Sequence, residues 1–221
     1  MIIGASGSGK TVLLKSLIGL LAPDSGEIYY DGIAFSSMHY KERKALRQRI
    51  GILFQGSALF DFETVLGNVM FPMDFLTDWS KAEKEERARY LLDKVNVKDS
   101  EDKYPDELSG GMQKRVGIAR AIALNPTFLF CDEPNSGLDP ETAIVIDHLI
   151  SSLTKELGIT TIMNTHDLNS IMEIGDNIGF LYKGEIIWQG DRHSILSAEC
   201  PQLREFLCSN TLARNIIEKS R

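Results

Sequence analysis

The sequence of 221 residues has few cysteines, no long hydrophobic run and no excess of positive charge. Its three cysteines form no CxxC pair, so neither a disulfide framework nor a zinc site is suggested. No apolar stretch reaches about 18 residues, and any role at a membrane must therefore depend on a partner. The formal net charge of −7 argues against nucleic acid as the main partner, because phosphate backbones select basic surfaces.

Hydrophobic periodicity alternates between strand-like and helix-like segments, which predicts an α/β fold with a largely parallel sheet. We expect strands at Met1–Ile3, Gly26–Gly32, Ile50–Phe54, Thr127–Cys131 and Ile159–Asn164, and a hairpin at Asn177–Gly190 that turns at Lys183–Gly184. We expect helices at Lys10–Leu21, Lys41–Arg49, Glu63–Leu76, Ser80–Val95, Leu108–Leu124 and Pro140–Leu157. Ser80 and Glu83 form a predicted capping box. The region from Gln55 to about Asn125 is therefore mostly helical.

The octapeptide GASGSGKT (Gly4–Thr11) has the spacing of a phosphate-binding loop. Glycines allow successive backbone N–H groups to curl around phosphate oxygens, and the helix that follows adds the positive end of its dipole. Lys10 would reach the β- and γ-phosphate oxygens, and Thr11 would ligate Mg²⁺. The alternative is a glycine-rich turn with a chance lysine, but the helix-like VLLKSLIGL directly after it disfavours that interpretation. The predicted contacts with the nucleotide are Gly4, Ala5, Ser6, Gly7, Ser8, Gly9, Lys10, Thr11 and Val12.

An apolar strand, TFLFCDE (Thr127–Glu133), ends in two carboxylates. Asp132 would sit beside Mg²⁺, directly or through water. Glu133 would be the base that polarises the attacking water. Many strands end in acidic residues, so this motif becomes informative only because it follows a phosphate-binding loop.

The stretch LSGGMQKRVGIARA (Leu108–Ala121) contains a second turn that suits an anion. Ser109, Gly110 and Gly111 expose backbone amides where a helix begins. One nucleoside triphosphate does not need two such cradles in one subunit, whereas two subunits facing head to tail do. The alternative is an ordinary N-cap followed by glycines. We predict that Ser109, Gly110 and Gly111 bind the triphosphate held by a second copy.

With GASGSGKT, LSGGMQ, FLFCDEP and SGLD (Ser136–Asp139) in this order, the sequence resembles the ATP-binding-cassette (ABC) ATPases over essentially its whole length. Gln55 and His166, each after a predicted strand, complete the pattern. The resemblance implies that Gln55 senses the γ-phosphate and Mg²⁺, that Asp139 lies in a loop crossing the dimer interface, and that His166 contacts the γ-phosphate. Without the resemblance, His166 would be interpreted as an N-cap or a packing histidine.

The resemblance also implies a fold and an activity. The expected fold is the P-loop ABC ATPase fold, with a RecA-like core from residues 1–54 and 126–221 and an inserted helical subdomain at about residues 55–125. The expected activity is hydrolysis of ATP with Mg²⁺ as cofactor. Its implied catalytic residues are Lys10, Gln55, Glu133 and His166, and its implied metal ligands are Thr11, Gln55 and Asp132.

Such ATPases carry further residues before the phosphate loop, including strands of a small antiparallel subdomain and an aromatic residue that stacks on adenine. The resemblance therefore favours a truncated chain or a start codon placed too late. In that case GEIYYDG (Gly26–Gly32) would be a strand without its usual partners. ATP would also bind less tightly than in a cassette with the stacking residue.

The segment QGSALFDFETVLGNVMFPM (Gln55–Met73) carries an unusual apolar load beside Gln55. In the family this region receives the coupling helix of the membrane subunit, which implies a groove for an integral-membrane permease. The alternative is that these side chains fill the core of the helical subdomain. The apolar residues in question are Phe60, Phe62, Val65, Val69, Met70 and Phe71.

Two stretches, FQGSALF…NVMFPM and THDLNSIMEIGDNIGFLYKGEIIWQG (Thr165–Gly190), are similar to the cassettes that drive phospholipid traffic with Mce-domain proteins in Gram-negative bacteria. This similarity implies a peripheral subunit at the cytoplasmic face of the inner membrane, which works with a second copy of itself, a permease and an Mce-domain protein. Amino acids, metal ions and lipoproteins are alternative cargoes, and a soluble ATP-driven switch without a permease is the rival class.

The C-terminal segment allows two interpretations. Its apolar residues Leu212, Ile216 and Ile217 would form a stripe that contacts the partner copy, or Thr211–Arg221 would form a frayed polar tail.

Overall fold

The computed structural model describes residues 1–209, so the C-terminal stripe of Leu212, Ile216 and Ile217 lies outside the described residues. The strands are β1 (Ile2–Ile3), β2 (Tyr29–Tyr30), β3 (Ile33–Ala34), β4 (Ile50–Leu53), β5 (Phe128–Asp132), β6 (Thr160–Thr165), β7 (Ile178–Tyr182) and β8 (Glu185–Gly190). The helices are α1 (Lys10–Leu17), α2 (Tyr40–Gln48), α3 (Val65–Leu76), α4 (Lys81–Lys94), α5 (Gly110–Ala121), α6 (Pro140–Glu156), α7 (Leu168–Ile174) and α8 (Pro201–Cys208). None of these helices is long and apolar enough to cross a membrane.

The main sheet has the strand order β4-β5-β6-β1-β7-β8. Strands from β4 to β7 in this order run parallel, and β8 returns antiparallel to β7. The predicted α/β fold with a mainly parallel sheet is therefore confirmed. The predicted hairpin turn is also confirmed, because Lys183 and Gly184 join β7 to β8 with φ of 49° and 87°. Since β1 lies between β6 and β7, the loop that follows it starts at the middle of the sheet.

A separate two-stranded hairpin lies between α1 and α2. Within GEIYYDG, Tyr29 and Tyr30 pair antiparallel with Ala34 and Ile33, a local partner strand that the sequence analysis did not predict. Asp31 and Gly32 connect the two strands with φ of 50° and 80°. Two turn residues with positive φ match the twist of the antiparallel strands that they connect. The local sequence therefore favours this hairpin.

Successive side chains of β5 point to opposite faces of the sheet and pack into two different hydrophobic cores. Leu129 and Cys131 point into the larger core with residues of α3, α4, α5 and α6. Phe128 and Phe130 point to the opposite face, into a core with α1 and α2. Because successive side chains of a strand alternate between faces, Asp132 continues the second set and faces α1.

Helix ends follow local capping chemistry. The predicted capping box of α4 is confirmed, because Ser80 Oγ accepts from the Glu83 amide at 3.3 Å and Glu83 Oε2 accepts from the Ser80 amide at 2.7 Å. Helix α3 begins at Val65 rather than at Glu63, since Thr64 Oγ1 accepts from the Gly67 amide at 3.1 Å. Helix α1 ends at Leu17 rather than at Leu21.

Candidate active site

The predicted site residues that come from the strand ends meet at one edge of the sheet. Gly4 follows β1, Asp132 ends β5, and His166 follows β6, while Gln55 comes just after β4. These four strands are neighbours and run parallel, so their carboxyl ends lie side by side. In open α/β sheets this is the edge at which ligands bind.

The loop from Gly4 to Gly9 needs glycine at both of its ends. A Cβ atom on Gly4 would lie 2.3 Å from the Leu181 carbonyl oxygen, and Gly9 takes a φ of +107° immediately before α1. Ala5, Ser6 and Gly7 are exposed between them. The exposed turn, with the first amides of α1 behind it, forms a cradle for an anion. Val12, one turn into α1, is 58% exposed at the surface.

Lys10 is buried under this loop, with 5% of its surface exposed. Its Nζ donates to the carbonyl oxygens of Gly4 at 2.9 Å and Ala5 at 3.1 Å. The same ammonium lies 3.6 Å from Glu133 Oε1. These acceptors satisfy the hydrogen-bonding capacity of the buried Lys10 ammonium. The ammonium can exchange them for the oxygens of an anion bound in the loop.

Thr11 and Asp132 form a buried oxygen pair under the first turn of α1. Thr11 Oγ1 donates to Asp132 Oδ1 at 3.1 Å, and Asp132 is 4% exposed. Asn164 Nδ2 donates to the same Oδ1 at 3.1 Å and to the Lys10 carbonyl oxygen at 2.9 Å. The sequence prediction missed Asn164, although an amide at the end of the apolar strand ITTIMN is a signal that could have indicated it.

Glu133 contacts the two other predicted catalytic side chains at this edge of the sheet, Gln55 and His166. Its Oε2 accepts from Gln55 Nε2 at 3.3 Å, and its Oε1 lies 3.1 Å from His166 Nδ1. Gln55 Nε2 also donates to Ser136 Oγ at 3.3 Å. Glu133 has a positive φ of 46°, an uncommon backbone conformation for a side chain of this size. Its carboxylate thus contacts two groups that come from different strands.

Ser109, Gly110, Gly111 and Asp139 lie apart from this cluster. Ser109 caps α5 by accepting from the Met112 amide at 3.3 Å. Asp139 caps α6 through Thr142, whose hydrogen bonds lower the pKa of Asp139. Within residues 1–209, no hydrogen bond joins Ser109, Gly110 or Gly111 to the phosphate loop. Ser109, Gly110 and Asp139 are exposed and Gly111 is half-buried, so the start of α5 is open to a ligand at the surface.

The segment Gln55–Met73 divides between core and surface. For Val65 and Val69 the alternative holds, because both are fully buried in the core of the helical region and do not line a groove. Phe62 is 73% exposed, and its ring lies 5.4 Å from that of Phe60. Phe60 in turn packs against Phe71 in a tilted arrangement, at a centroid distance of 4.3 Å.

An apolar groove of about 510 Å³ opens beside these rings. Both aromatic and aliphatic side chains line it, among them Phe54, Phe60, Phe71, Pro72, Leu76 and Leu124. Arg120 borders it and places its guanidinium 5.5 Å from the centre of the Phe60 ring. Of the apolar residues predicted to line a groove, Phe60 and Phe71 do so.

Comparison with known proteins agrees with these features. The family model for ABC transporters matches residues 1–136. The methionine import ATP-binding protein MetN of Carboxydothermus hydrogenoformans is 43% identical over 189 residues, which cover 86% of this chain and 56% of that protein. The probable ribonucleotide transport ATP-binding protein mkl of Mycobacterium leprae is 38% identical over 207 residues, which cover 94% of this chain and 60% of that protein. The chain thus spans less than two thirds of the length of these two relatives.

Solved structures show the same architecture. A dimeric structure of the ATP-binding cassette MJ0796, in a post-hydrolysis state with ADP and Pi, is 35% identical with a TM-score of 0.78. That match covers 86% of this chain and 84% of MJ0796. The cbiO1 protein of Clostridium perfringens, part of the ABC transporter complex cbiONQ, is 30% identical with a TM-score of 0.81 over 97% of this chain and 85% of its own. The chain belongs to the ABC transporter family and has the fold of its ATP-binding cassettes.

Proposed function

We propose that this chain binds and hydrolyses ATP with Mg²⁺ and supplies the energy of a membrane transporter. The observation that carries the proposal is the meeting of Lys10, Asp132 and Glu133 with Gln55 and His166 at the sheet edge below the glycine-rich loop. A cation, a metal-binding oxygen pair and a general base are the groups that phosphoryl transfer requires.

Each side chain has a role that follows from its present contacts. Lys10 leaves the carbonyl oxygens of Gly4 and Ala5 and turns to the β- and γ-phosphate oxygens. Glu133 then loses its neighbouring ammonium and accepts a proton from the attacking water. His166, on the other side of Glu133, donates a hydrogen bond to the transferred phosphoryl group. Gln55 senses the γ-phosphate and links it to the loop after Glu133 through its hydrogen bond to Ser136.

The donor set suits a hard cation. Thr11 Oγ1 and Asp132 Oδ1 offer oxygens within 3.1 Å of each other, and Gln55 offers an amide oxygen. Within residues 1–209, no group of three or more His, Cys, Asp or Glu side chains could hold a metal alone. Mg²⁺ usually binds through one or two carboxylates together with waters and substrate phosphates, and Asp132 is the carboxylate of this set. When bound, the ion neutralises phosphate charge.

The complete site requires a second copy of the chain. Ser109, Gly110 and Gly111 lie at the start of α5, and Asp139 caps α6. Within residues 1–209, none of them is hydrogen-bonded to the phosphate loop of its own chain. We propose that they complete the site of a partner copy in a head-to-tail dimer. The dimeric state of the MJ0796 cassette, which this chain resembles, supports the arrangement.

The apolar groove beside Phe71 is the proposed docking site for an integral-membrane permease. Its aromatic lining suits an amphipathic helix from the partner. Docking there would hold the chain peripherally on the cytoplasmic face of the inner membrane. We expect Phe71→Asp to abolish salt-resistant sedimentation with membranes, whereas Tyr40→Asp, at an exposed tyrosine of α2, should retain it. Equal retention of both variants would show that the permease docks elsewhere, whereas recovery of the wild-type chain only in the soluble fraction would favour a soluble ATP-driven switch.

The proposed cargo is phospholipid, moved together with an Mce-domain protein. The similarity of the Gln55–Met73 and Thr165–Gly190 stretches to phospholipid-transport cassettes supports it, while MetN suggests methionine as the competing cargo. Mass spectrometry of the complex purified from membranes should find bound phospholipid. Its ATP hydrolysis should respond to added phospholipid and be indifferent to methionine, and the reverse response would contradict the cargo.

The test of the chemistry is Glu133→Gln. Loss of a general base costs roughly 10²- to 10⁴-fold in kcat, while the neutral side chain preserves the shape of the site. We expect the variant to bind ATP and to accumulate as an ATP-bound dimer, measured by light scattering. Glu86→Gln, at an exposed position of α4, is the matched control. Normal hydrolysis by Glu133→Gln would show that the base is elsewhere.

A further inference from the structure

The loop after Glu133 is tied to two helices by a buried hydrogen-bonded group that the roles above do not use. Asn135 Nδ2 donates to Asp147 Oδ1 on α6 at 2.8 Å and to Ser170 Oγ on α7 at 2.9 Å. Asp147 is 2% exposed and Ser170 is fully buried. One side-chain amide therefore connects three segments of the chain.

The connected segments are those that carry Glu133 and His166. Asn135 follows Glu133 in the same turn, whereas Ser170 lies in the first turns of α7, which begins directly after His166 and Asp167. The contact between Glu133 Oε1 and His166 Nδ1 at 3.1 Å spans the same two segments on the solvent side. His166 itself is 57% exposed, so it has little packing to hold it. The two segments are already joined at their start, where the Glu133 amide donates to the Asn164 carbonyl oxygen at 3.0 Å. The bond from Asn135 to Ser170 is a second connection, farther along both segments.

Electrostatics makes this group costly to break. Burial raises the pKa of Asp147, and hydrogen bonds from Ser170 and Asn135 oppose that rise. A buried carboxylate that loses a donor keeps its full desolvation penalty. When its partners are in place, such a group instead holds the surrounding backbone in one arrangement.

We propose that Asn135, held by Asp147 and Ser170, is a positioning residue that aligns Glu133 with His166. The inference rests on the ATP hydrolysis proposed above. Asn135 touches no reacting atom. It acts by keeping the turn after β5 at a fixed distance from α7, so that the base and the histidine reach the same phosphoryl group.

The primary test is Asn135→Ala, with Asn169→Ala as the matched control at an exposed position of α7. Misplacing catalytic groups by about 1 Å can cost on the order of 100-fold in rate, so we expect a fall in kcat of about 10- to 100-fold. The KM for ATP and the affinity for ATP should stay unchanged, because the phosphate loop and Lys10 are not involved. Asn169→Ala should keep the wild-type kcat.

Coupling to His166 separates alignment from general damage. If Asn135 acts by placing His166 against Glu133, its loss should cost nothing further in a His166→Ala background, measured as single-turnover rates. An undiminished loss in that background would overturn the proposal, as would a wild-type kcat for Asn135→Ala.

A reversed pair keeps the test informative if Asn135→Ala does not fold. Asn135→Asp alone places a second carboxylate beside Asp147 and should abolish turnover. Adding Asp147→Asn restores an amide–carboxylate pair with the donor on the other side, and kcat should recover. Failure of the double variant to recover, while it binds ATP normally, would contradict the proposal. A wild-type chain without ATP hydrolysis would instead refute the proposed function.

Discussion

At the scale of single residues, the buried ammonium groups of Lys10 and Lys114 differ in their hydrogen bonding. Lys10 has two carbonyl oxygens and Glu133 within reach. Lys114, on α5, is 4% exposed, and its Nζ has no hydrogen-bond partner in the described part of the chain. Burial lowers the pKa of Lys114, and the nearby carboxylate of Glu133 opposes that lowering. The buried Lys114 ammonium therefore destabilises the folded state.

Replacing Lys114 with methionine should stabilise the protein. An unsatisfied buried donor costs about 1–3 kcal/mol, so Lys114→Met should raise the free energy of unfolding in urea by about that amount. The gain should be largest near neutral pH. It should shrink as the pH rises towards 10.5, the ordinary pKa of lysine, because the folded wild type loses its buried charge before the unfolded chain does.

The control for Lys114→Met is Lys44→Met, which removes an exposed lysine from α2 and should change stability little. A loss of stability in Lys114→Met, with Lys44→Met neutral, would show that the ammonium is paired in solution. The same measurements at pH 7 and at higher pH give the sign of the pH dependence directly.

At the scale of elements, strand β4 and helix α5 touch through glycine. A Cβ atom on Gly51 of β4 would lie 2.2 Å from the Ala121 carbonyl oxygen at the end of α5. On the facing helix, a Cβ on Gly117 would lie 2.9 Å from the side chain of Leu53. These close approaches join the strand that leads to Gln55 to the helix that Ser109 caps. The two parts of the proposed site are therefore connected through packing between β4 and α5.

Gly51→Ala should separate these elements. The added methyl group meets backbone rather than a flexible side chain, and overpacking of this kind costs about 1–3 kcal/mol. We expect a lower midpoint of urea denaturation. In Gly179→Ala, also in a strand, the nearest atom lies at an ordinary 3.5 Å, and the change should be small. Equal effects of both variants would mean that β4 and α5 do not pack this tightly.

At the scale of the whole molecule, the chain carries the two parts of the proposed site on different surfaces. The phosphate loop, Asp132 and Glu133 lie at the sheet edge, while Ser109 lies at the exposed start of α5. A head-to-tail pair would bring the loop of one copy to the serine of the other. Neither copy would then be active alone.

Complementation between two inactive variants tests this arrangement. Lys10→Ala removes the phosphate contact, and Ser109→Arg blocks the start of α5. Each variant alone should lack ATP hydrolysis, because every site in its dimer is damaged. Mixed dimers contain one intact site, formed by Lys10 of one chain and Ser109 of the other, so mixing should restore activity. Mixtures that stay inactive, although mixed dimers form, would contradict a shared site.

The sequence itself determined the chemistry-bearing positions and the kind of fold. Glycine spacing, apolar strands and acidic strand ends are local properties, so GASGSGKT, Asp132, Glu133 and the α/β alternation could be recognised without a structure. Local turn chemistry also encoded the hairpin of Tyr29–Ala34, which we failed to predict because we expected partners from elsewhere.

Only the tertiary structure decided which side chains meet. Val65 and Phe62 are both apolar and close in sequence, yet Val65 is buried and Phe62 is exposed. Val65 begins α3 and packs into the core with α4 and α5, whereas Phe62 lies in the turn before that helix. The joining of Asn135 to Asp147 and Ser170 likewise depends on how α6 and α7 fold back past the end of β5. Periodicity gives each element its faces, but contacts between distant segments are fixed only when those faces pack together.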